Sequence, residues 1–340
     1  MTEFNHHNSV APSAATEKYL LEVRDLSVVF DTAEGTLGVV DNVSLKVQAG
    51  RTLGLVGESG SGKSVTCLAA LGLLPQRGRV TSGDVMFEGR DLLKLSEAEM
   101  SDLRGCKIAM VFQDPMVSLN PVRTIGWQIS ESLRLHQNLS KGAARRRALE
   151  LLDLVGIPEA NARFGEYPHQ FSGGMCQRAM IAMAIACEPS LLIADEPTTA
   201  LDVTIQAQIL ELLSQLKTEL NMALILITHD LGVIAQVADD VAVIYAGRIV
   251  EEAPVLDLFD APLHHYTQGL MNSLPRVDRK VDRLSTIGGA APPPQDFVPG
   301  CRFAPRCSHC DVSCAGERPE FQNVGGARRV ACRHPMTSGG

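Results

Sequence analysis

The sequence has no excess of basic residues, which sets it apart from proteins that hold nucleic acid. Its 31 Lys and Arg residues are outnumbered by 39 Asp and Glu residues, for a formal net charge of −8 at pH 7. A nucleic-acid surface normally carries a strong positive bias, so we expect no nucleic-acid partner. The run Arg145–Arg147 lies in a helix-like segment and is more typical of a solvated helix face than of a binding patch.

The chain also lacks long hydrophobic runs. No segment approaches the length of about 18 apolar residues that a membrane-spanning helix needs, so we expect no such helix. Residues 1–18 are largely polar and lack the apolar segment of a signal peptide, which predicts a disordered N-terminus and no secretory leader. A core is nevertheless available, because 45% of the 340 residues are hydrophobic. This length favours one large domain with an appendage, or two domains.

The segment Gly57–Ser64 matches the phosphate-binding pattern G-x-x-x-x-G-K-[ST] at every fixed position. The apolar run Arg51–Val56 before it predicts a buried strand, and Val65–Leu74 after it predicts a buried helix, which is the context that this motif requires. Backbone N–H groups of such a loop surround phosphates at the start of the helix. The sequence therefore predicts a nucleoside-triphosphate site. Its candidate contacts are Gly57, Ser59, Gly60, Ser61 and Gly62, with Lys63 on the terminal phosphates and Ser64 on Mg²⁺.

Polar side chains follow three other short apolar runs. Leu191–Ala194 leads directly into Asp195 and Glu196, where an acid can hold the Mg²⁺ shell and a second acid can polarise water. Gln113 and His229 end two further runs of this kind. Apolar strands that alternate with helices predict an α/β fold with a parallel sheet, and ligands bind at the carboxyl ends of its strands.

The remaining segments have different periodicities. Residues 20–56 alternate apolar and polar side chains, which predicts antiparallel strands with one exposed face. Phe30 ends the first of these strands and either stacks on a nucleotide base or belongs to the core. Residues 120–170 have helical spacing and resemble an insertion into the α/β domain. The α/β pattern stops near residue 255, and a linker at Gly288–Pro294 leads into a cysteine-rich tail.

A second anion-binding pattern, Ser172-Gly173-Gly174-Met175, precedes a further helix. Joined to Gly57–Ser64, Gln113, Asp195-Glu196, Asp202 and His229 in this order, it resembles the ATP-binding-cassette ATPases over residues 20–250. Four stretches narrow the resemblance to the dipeptide/oligopeptide importer subfamily. They are Phe112–Pro121, Ala194–Gln208, His264–Gln268 and Gly300–Cys307.

The resemblance implies a RecA-like parallel-sheet core, an antiparallel β subdomain, an inserted α-helical subdomain and a small cysteine-rich, metal-binding tail. It implies an ATPase domain at residues 19–255, with the helical subdomain at about 114–178, and a C-terminal extension at 256–340. It also implies roles for single residues: Glu196 activates water, and His229 contacts the γ-phosphate. Lys63 and Gln113 complete the catalytic set, and Mg²⁺ is held by Ser64, Gln113 and Asp195.

Partners follow from the same resemblance. Such ATPases pair head-to-tail with a homologous subunit, usually as a heterodimer. Ser172, Gly173, Gly174 and Met175 then cap the ATP held by the partner, and Asp202 bridges the two sites. A groove near Gln113 takes a coupling helix from one of two membrane permease subunits, and an extracytoplasmic peptide-binding protein acts indirectly. This implies a peripheral protein on the cytoplasmic face of the inner membrane.

Alternative functions remain open from the residues. One is a soluble, non-transport cassette ATPase. Another is the same importer architecture acting on nickel, haem, glutathione or antimicrobial peptides. Two positions depart from the subfamily pattern: Cys176 replaces an Arg or other polar residue and is either packed or reactive, and His265 stands where the subfamily has proline.

Five of the nine cysteines fall within the last forty residues. Because an intracellular nucleotide-hydrolysing protein rarely forms disulfides, the group indicates a metal site. The gaps between these cysteines suit zinc poorly but do not exclude it. The resemblance implies a 4Fe-4S cluster, with zinc or no metal as alternatives. Cys310 is an extra thiol whose role stays open, and His309 and His334 are either alternative ligands or bystanders. The implied cluster ligands are Cys301, Cys307, Cys314 and Cys332.

Overall fold

The computed structural model describes residues 19–199, 201–273 and 287–336. The predicted disorder of residues 1–18 lies outside this described part of the chain. The strands are β1 (Leu21–Thr32), β2 (Gly35–Val47), β3 (Thr52–Val56), β4 (Gly78–Phe87), β5 (Arg90–Asp91), β6 (Ile108–Val111), β7 (Leu191–Asp195), β8 (Ala223–Thr228), β9 (Asp240–Tyr245), β10 (Arg248–Pro254), β11 (Gln322–Asn323) and β12 (Arg329–Val330). The helices are α1 (Lys63–Ala70), α2 (Glu97–Leu103), α3 (Pro115–Ser118), α4 (Ile125–His136), α5 (Lys141–Leu154), α6 (Ala160–Arg163), α7 (Gly173–Ala184), α8 (Val203–Glu219), α9 (Leu231–Val237), α10 (Val255–Asp260), α11 (His265–Asn272) and α12 (Val312–Gly316).

A parallel sheet forms the centre of the fold, in the order β9-β3-β8-β7-β6. Every residue of β3, β7 and β8 is buried, as expected for a parallel sheet with both faces covered. The predicted α/β fold is confirmed by this sheet. Helix α1 is shorter than predicted and ends at Ala70, because Gly72 adopts a left-handed φ of +63° just beyond it.

A second, antiparallel sheet has the strand order β2-β1-β4-β5. The predicted alternation holds at the start of β1, where Leu21 and Val23 are buried and Glu22 between them is less so. It breaks at Arg24 and Asp25, which are both exposed at a shift in the strand register. This sheet packs over α1 and closes a second apolar core against the parallel sheet. It thereby places the β1–β2 hairpin next to the loop that precedes α1.

The helices α3 to α7 pack beside the parallel sheet as a group of their own. Ile129 and Leu133 of α4 are buried, as are Leu151 and Leu152 of α5, on the faces that the spacing predicted. The group ends at Ala184, a few residues beyond the expected boundary near 178. Arg147 of α5 pairs with Glu150 of the same helix and with Glu188, just beyond α7, which is typical of a solvated face.

The C-terminal extension is integrated into the central sheet. Strand β12 pairs antiparallel with β10, and β11 continues the sheet outward from β12. Three arginines also converge on the carboxylate of Asp41 in β2: Arg248 at 2.8 Å, Arg302 at 2.7 Å and Arg318 at 3.1 Å. Two of them belong to the extension. The tail is therefore tied to residues 19–255 both by backbone pairing and by ion pairs.

Candidate nucleotide site

The loop between β3 and α1 needs glycine at two positions. A Cβ atom on Gly57 would lie 2.1 Å from the backbone oxygen of Ile244, so no larger residue fits without moving β9. Gly62, the residue before α1, has a φ of +100°, in the left-handed region that favours glycine. The loop is thus bent tightly against the sheet, with the N-terminus of α1 behind it, which is the arrangement that binds phosphate.

Lys63 is buried at the base of this loop. Its Nζ donates hydrogen bonds to the carbonyl oxygens of Gly57, at 2.8 Å, and Glu58, at 2.9 Å. Desolvation lowers the pKa of Lys63, and the nearby carboxylates of Glu196 and Asp195 oppose that shift. An ammonium group held among carbonyls beside the N-terminus of α1 is suited to bind the terminal phosphates of a nucleotide.

Ser64 and Asp195 meet directly behind the loop. The Ser64 hydroxyl donates to Oδ1 of Asp195 at 2.9 Å, which joins the start of α1 to the end of β7. Burial raises the pKa of Asp195, while the hydrogen bond from Ser64 and the charge of Lys63 oppose the shift. A hydroxyl and a carboxylate at this distance form half of an oxygen-rich site, the kind that Mg²⁺ prefers.

Glu196 follows in an uncommon backbone conformation, with a φ of +46°. A non-glycine residue in this region costs on the order of 1–3 kcal/mol, and such strain is often found at functional sites. Its carboxylate is held by three groups: Gln113 donates at 3.2 Å, Thr199 donates at 2.9 Å, and Nδ1 of His229 lies 3.2 Å away. The predicted residues Gln113, Glu196 and His229 are therefore brought together around one carboxylate.

An open cavity of about 970 Å³ lies over the loop. All residues from Gly57 to Ser64 line it, and so do Gln113, Glu196 and His229. The β1–β2 hairpin contributes Val39 to the wall. The C-terminal extension contributes Leu270, Ser273, Ile287, Gly289, Ala290, Ala291 and Arg306.

Phe30 lies apart from this cavity in the described structure. Its ring packs so close to Gly78 that a Cβ there would approach it to 2.9 Å, and it contributes to the core between β1 and β4. This contact suits the core alternative, while stacking of Phe30 on a nucleotide base stays a prediction. Val39 lines the cavity, whereas Phe30 does not.

The second glycine pattern also lies outside the cavity. Ser172 is exposed and caps α7, where its hydroxyl accepts the N–H of Met175 at 3.3 Å. Gly173 and Gly174 lie against Leu201 and Ile205, next to the start of α8. Asp202, which precedes α8, is exposed as well. None of these residues lines the cavity over the loop of the same chain.

Cys176 is fully buried at the second turn of α7. Its Sγ donates to the carbonyl of Pro168 at 3.4 Å and lies 3.7 Å from Sδ of Met116. Burial raises the pKa of its thiol, which disfavours the reactive thiolate. Of the two alternatives for this residue, the structure favours the packed side chain.

The sequence analysis missed several contacts that the extension makes with the loop. The N–H of Glu58 donates to the hydroxyl of Tyr266 at 2.8 Å, and the Glu58 carboxylate accepts two hydrogen bonds from Arg306 at 2.8 and 3.0 Å. Tyr266 lies in the histidine-tyrosine stretch, and Arg306 directly precedes Cys307. Both belong to segments that the sequence had marked, but their closeness to residue 58 has no sequence signal.

The cysteines of the tail converge on one small pocket, lined also by Phe303 and several histidines. All are free thiols, and Cys310 is exposed outside the pocket. His309 stacks on His265 with ring centroids 4.3 Å apart. Burial raises the pKa of the Cys332 thiol to about 11 and that of the Cys301 thiol in the same direction. The four thiols that line the pocket are those of Cys301, Cys307, Cys314 and Cys332.

A different set of metal-ligating atoms is more closely spaced. Within residues 19–199, 201–273 and 287–336, the one group of three that lies within 4.8 Å is Asp311, Cys314 and His334. Tetrahedral zinc with Zn–S bonds of about 2.3 Å would hold sulfurs about 3.8 Å apart. No three of the described tail cysteines approach one another as closely as that group does. The thiol spacing is therefore wider than a single zinc ion requires.

Comparison with known proteins gives a consistent picture. Residues 40–199 match the family described as ABC transporter, and residues 250–314 match the C-terminal region of oligopeptide/dipeptide transporters. The oligopeptide transport ATP-binding protein AppD of Bacillus subtilis is 49% identical, covering 92% of this chain and 96% of AppD. The dipeptide transport ATP-binding protein DppD of Escherichia coli is 48% identical, covering 94% of this chain and 98% of DppD.

A solved structure agrees with the fold. A dimeric ATP-binding cassette in a post-hydrolysis state, bound to ADP and Pi, superposes with a TM-score of 0.63 at 28% sequence identity. The match covers 69% of this chain and 98% of that one. Within the described residues, no helix is both long and apolar enough to cross a lipid bilayer.

Proposed function

The chain belongs to the ABC transporter family of ATPases, and from this premise we propose that it is the ATP-hydrolysing subunit of a bacterial importer of dipeptides or oligopeptides. The observation that carries the proposal is the cavity in which the glycine loop, Gln113, Glu196 and His229 meet. The peptide cargo is supported by near full-length similarity to two peptide-transport ATPases and by the match of residues 250–314 to the peptide-transporter C-terminal region.

The site residues have defined roles in this proposal. The N–H groups of Gly57–Gly62 and the ammonium of Lys63 bind the phosphates, and Ser64 and Asp195, with Gln113, would hold Mg²⁺. That ion, when bound, neutralises charge on the phosphates during transfer. Glu196 accepts the proton of the attacking water, and its strained backbone and hydrogen bonds aim the carboxylate into the cavity.

His229 is placed to bridge Glu196 and the nucleotide. Its Nδ1 faces Glu196, and the ring is about half exposed on the cavity side. A side chain in this position donates its other ring nitrogen toward the terminal phosphate. Positioning and charge neutralisation of this kind account for most of the catalysis in phosphoryl transfer.

A head-to-tail pair with a homologous ATPase subunit is part of the proposal. Ser172–Met175 do not line the cavity of their own chain, and Ser172 is exposed at the N-terminus of α7. A second subunit whose loop faces this helix would complete both nucleotide sites. Asp202, which is exposed at the start of the adjoining α8, then lies at the junction of the two sites. The usual heterodimer follows from the subfamily resemblance.

Membrane permease subunits would dock beside Gln113. The segment that follows it exposes three large apolar side chains: Met116 at 50%, Val117 at 82% and Val122 at 74%. A contiguous apolar patch on a surface normally marks a partner. Since Gln113 bonds to Glu196 at 3.2 Å, a helix docked here would contact the segment that leads to the reacting carboxylate. We also propose that the chain lies on the cytoplasmic face of the inner membrane, with the peptide-binding protein acting from the other side.

For the tail, we propose a 4Fe-4S cluster held by Cys301, Cys307, Cys314 and Cys332. The support is that these four free thiols line one pocket and that their sulfurs are spread more widely than zinc requires. When bound, such a cluster would cross-link a segment that otherwise has little regular structure. The residues of the chain contribute the thiolates and the backbone N–H groups of Phe303 and Ala304, which face Cys301. Anaerobic UV–visible spectra with iron, sulfide and zinc analysis test this assignment.

The functional proposal is tested in a reconstituted importer with its partner ATPase and permease subunits. ATP hydrolysis should rise when binding protein loaded with dipeptide is added on the extracytoplasmic side. Hydrolysis that stays unchanged with loaded binding protein would contradict the peptide-import role. A response to nickel, haem, glutathione or an antimicrobial peptide, and not to dipeptide, would assign one of the alternative cargoes. Activity without any membrane partner requirement would favour a non-transport ATPase.

A further inference from the structure

One residue of the glycine loop is held by the C-terminal extension at its backbone and its side chain. The N–H of Glu58 donates to Tyr266, and the Glu58 carboxylate accepts a bidentate pair from Arg306 at 2.8 and 3.0 Å. The Glu58 carbonyl accepts a hydrogen bond from Lys63 at 2.9 Å. The tail therefore contacts a residue, Glu58, that is itself hydrogen-bonded to Lys63, the lysine proposed to bind the phosphates.

Arg306 is itself held by several hydrogen bonds besides those to Glu58. Its remaining N–H groups donate to the carbonyls of Gly288, at 2.9 Å, and Gly289, at 3.2 Å, and to the hydroxyl of Tyr245, at 3.2 Å. Only 7% of its side chain is exposed. Bidentate pairs between an arginine and a carboxylate are among the stronger hydrogen-bonded contacts, and solvent screens a buried pair less than an exposed one.

Arg306 lies in the sequence between two cysteines that line the pocket. Arg306 ends the 3-10 turn Ala304–Arg306 and directly precedes Cys307, and Cys301 begins the same short stretch. Both cysteines line the pocket. A group that holds Cys301 and Cys307 would fix the turn between them, and hence the guanidinium that reaches Glu58.

We propose that Arg306 is a positioning residue for the glycine loop, and that its salt bridge with Glu58 couples the order of the cysteine pocket to the affinity of the loop for nucleoside triphosphate. This inference rests on the proposed phosphate-binding role of Gly57–Ser64. Arg306 acts through Glu58, since it orders the carbonyl that holds Lys63 and the N–H groups that follow in the loop. The tail then stabilises the binding conformation of the nucleotide site in addition to packing against the domain.

The test measures the dissociation constant for a fluorescent ATP analogue with Mg²⁺, using the full-length chain. Arg306→Gln should raise that constant about tenfold, equivalent to about 1.4 kcal/mol, and should speed hydrogen exchange at residues 57–62. Glu58→Gln should raise it by a similar factor, although it leaves the tail sequence intact. The double variant should be no weaker than either single variant, since both remove one shared interaction.

The matched control is Arg318→Gln, because Arg318 also belongs to the tail and pairs with the core, at Asp41. It should leave the dissociation constant within about twofold of the parent value, well below the change of about tenfold expected for Arg306→Gln. Additive effects of the two single variants, or an unchanged constant in Glu58→Gln, would overturn the proposal. If Arg306→Gln loses its metal spectrum or misfolds, the Glu58→Gln result decides.

Two further variants separate this inference from the function on which it rests. Lys63→Ala should abolish binding of the analogue. If it does not, the proposed nucleotide site is wrong and the Arg306 inference fails with it. Cys314→Ser should weaken binding as Arg306→Gln does, and should add nothing when combined with Arg306→Gln. Unaltered binding in Cys314→Ser would show that the loop does not depend on the cysteine pocket.

Discussion

Arg306 contacts the glycine loop through Glu58 and directly precedes Cys307 of the cysteine pocket. The two sites that it adjoins are nevertheless built in opposite ways. The nucleotide site takes its residues from the ends of regular elements, such as β7, β8 and the start of α1, which are held in place by the hydrogen bonds of the parallel sheet and of the helix. The cysteine pocket takes its residues from a segment with two short 3-10 turns and the five-residue helix α12. Regular structure can preorganise a site, whereas irregular chain needs cross-links to stay in one conformation.

This contrast predicts that substitutions in the two regions affect different properties, namely ATP turnover for the nucleotide site and resistance to unfolding for the tail. Substitutions at the nucleotide site should change turnover with little effect on unfolding. Substitutions in the tail should change unfolding first, and nucleotide affinity only through Arg306 and Glu58. The following predictions run from the largest expected effect to the smallest.

Glu196→Gln should reduce ATP turnover in the reconstituted importer by at least about 100-fold, the usual range for loss of a general base. Nucleotide affinity should change little, because Lys63 and the loop are untouched. Phosphate release measures the first effect and a fluorescent ATP analogue the second. Glu188→Gln is the control, since this exposed glutamate pairs with Arg147 away from the cavity. Retained turnover in Glu196→Gln would mean that another group activates water.

Loss of the proposed 4Fe-4S cluster should lower the thermal stability of the chain. Cys314→Ser should bind no cluster and should reduce the unfolding midpoint by roughly 4–8 °C if it costs about 2 kcal/mol, on the scale of a 150–250-residue domain. Cys310→Ser is the matched control, because Cys310 is exposed and lies outside the pocket. Metal content and thermal unfolding measure both variants. Equal loss in the two variants would remove the distinction between ligand and bystander thiols.

The seam between the core and the tail should respond to pH through Glu252 on β10. Burial raises its pKa to about 7 from 4.5, although Arg329 on β12 opposes the shift at 3.3 Å. The folded state therefore keeps this proton over a range where the unfolded chain has lost it. The resulting stabilisation is complete below pH 4.5 and is lost as pH rises toward 7.

Glu252→Gln should remove this dependence, so the variant should gain stability relative to the parent between pH 5 and pH 8. The gain is limited to about 1.4 kcal/mol for each pH unit crossed within the interval. Denaturant midpoints at the two pH values measure it. Glu150→Gln serves as the control, because Glu150 is exposed on the helical subdomain. If the denaturant midpoints of both variants changed equally with pH, the effect would come from the net charge of the chain and not from Glu252.

The smallest effect is expected for Cys176→Ala, at a buried position of α7 that contacts Pro168 and Met116. The substitution removes one weak hydrogen bond to Pro168 and a contact with Met116, so we expect a loss of about 1 kcal/mol or less. ATP turnover should stay near the parent value. Thiol labelling of the folded parent should spare Cys176 while it modifies the exposed Cys310. Rapid labelling of Cys176 would restore the reactive alternative.

Much of the fold could be predicted because its signals are local. The apolar run before Asp195 and the run before His229 became the buried strands β7 and β8, since a parallel sheet covered on both faces excludes polar residues. Helix α7 was harder to bound, because Ser172 starts it with a capping bond that the apolar pattern does not include. Strands β11 and β12 have two residues each, which is too short for any periodicity to predict.

The motif residues of the candidate site could be predicted from the sequence, but the orientation of Phe30 and the contact made by Thr199 could not. Each motif residue is identified by its neighbours in sequence, so Lys63, Ser64 and Asp195 follow from their spacing. Phe30 shows the limit, because a strand end reveals neither which way a ring points nor what it packs on. In the structure that ring fills the space over Gly78. Thr199, which donates to Glu196 at 2.9 Å, had no sequence signal of its own.

The sequence by itself determined the loop chemistry, the order of the motifs and the set of free cysteines, because these depend on residue type and short spacing. Only the tertiary structure decided that the tail reaches the nucleotide site. Arg306 and Glu58 are 248 residues apart in the chain, yet they form two hydrogen bonds in space. Contacts at such separation result from the pairing of β12 with β10 and the packing of the extension on the loop. They depend on how the whole chain folds, which no local pattern encodes.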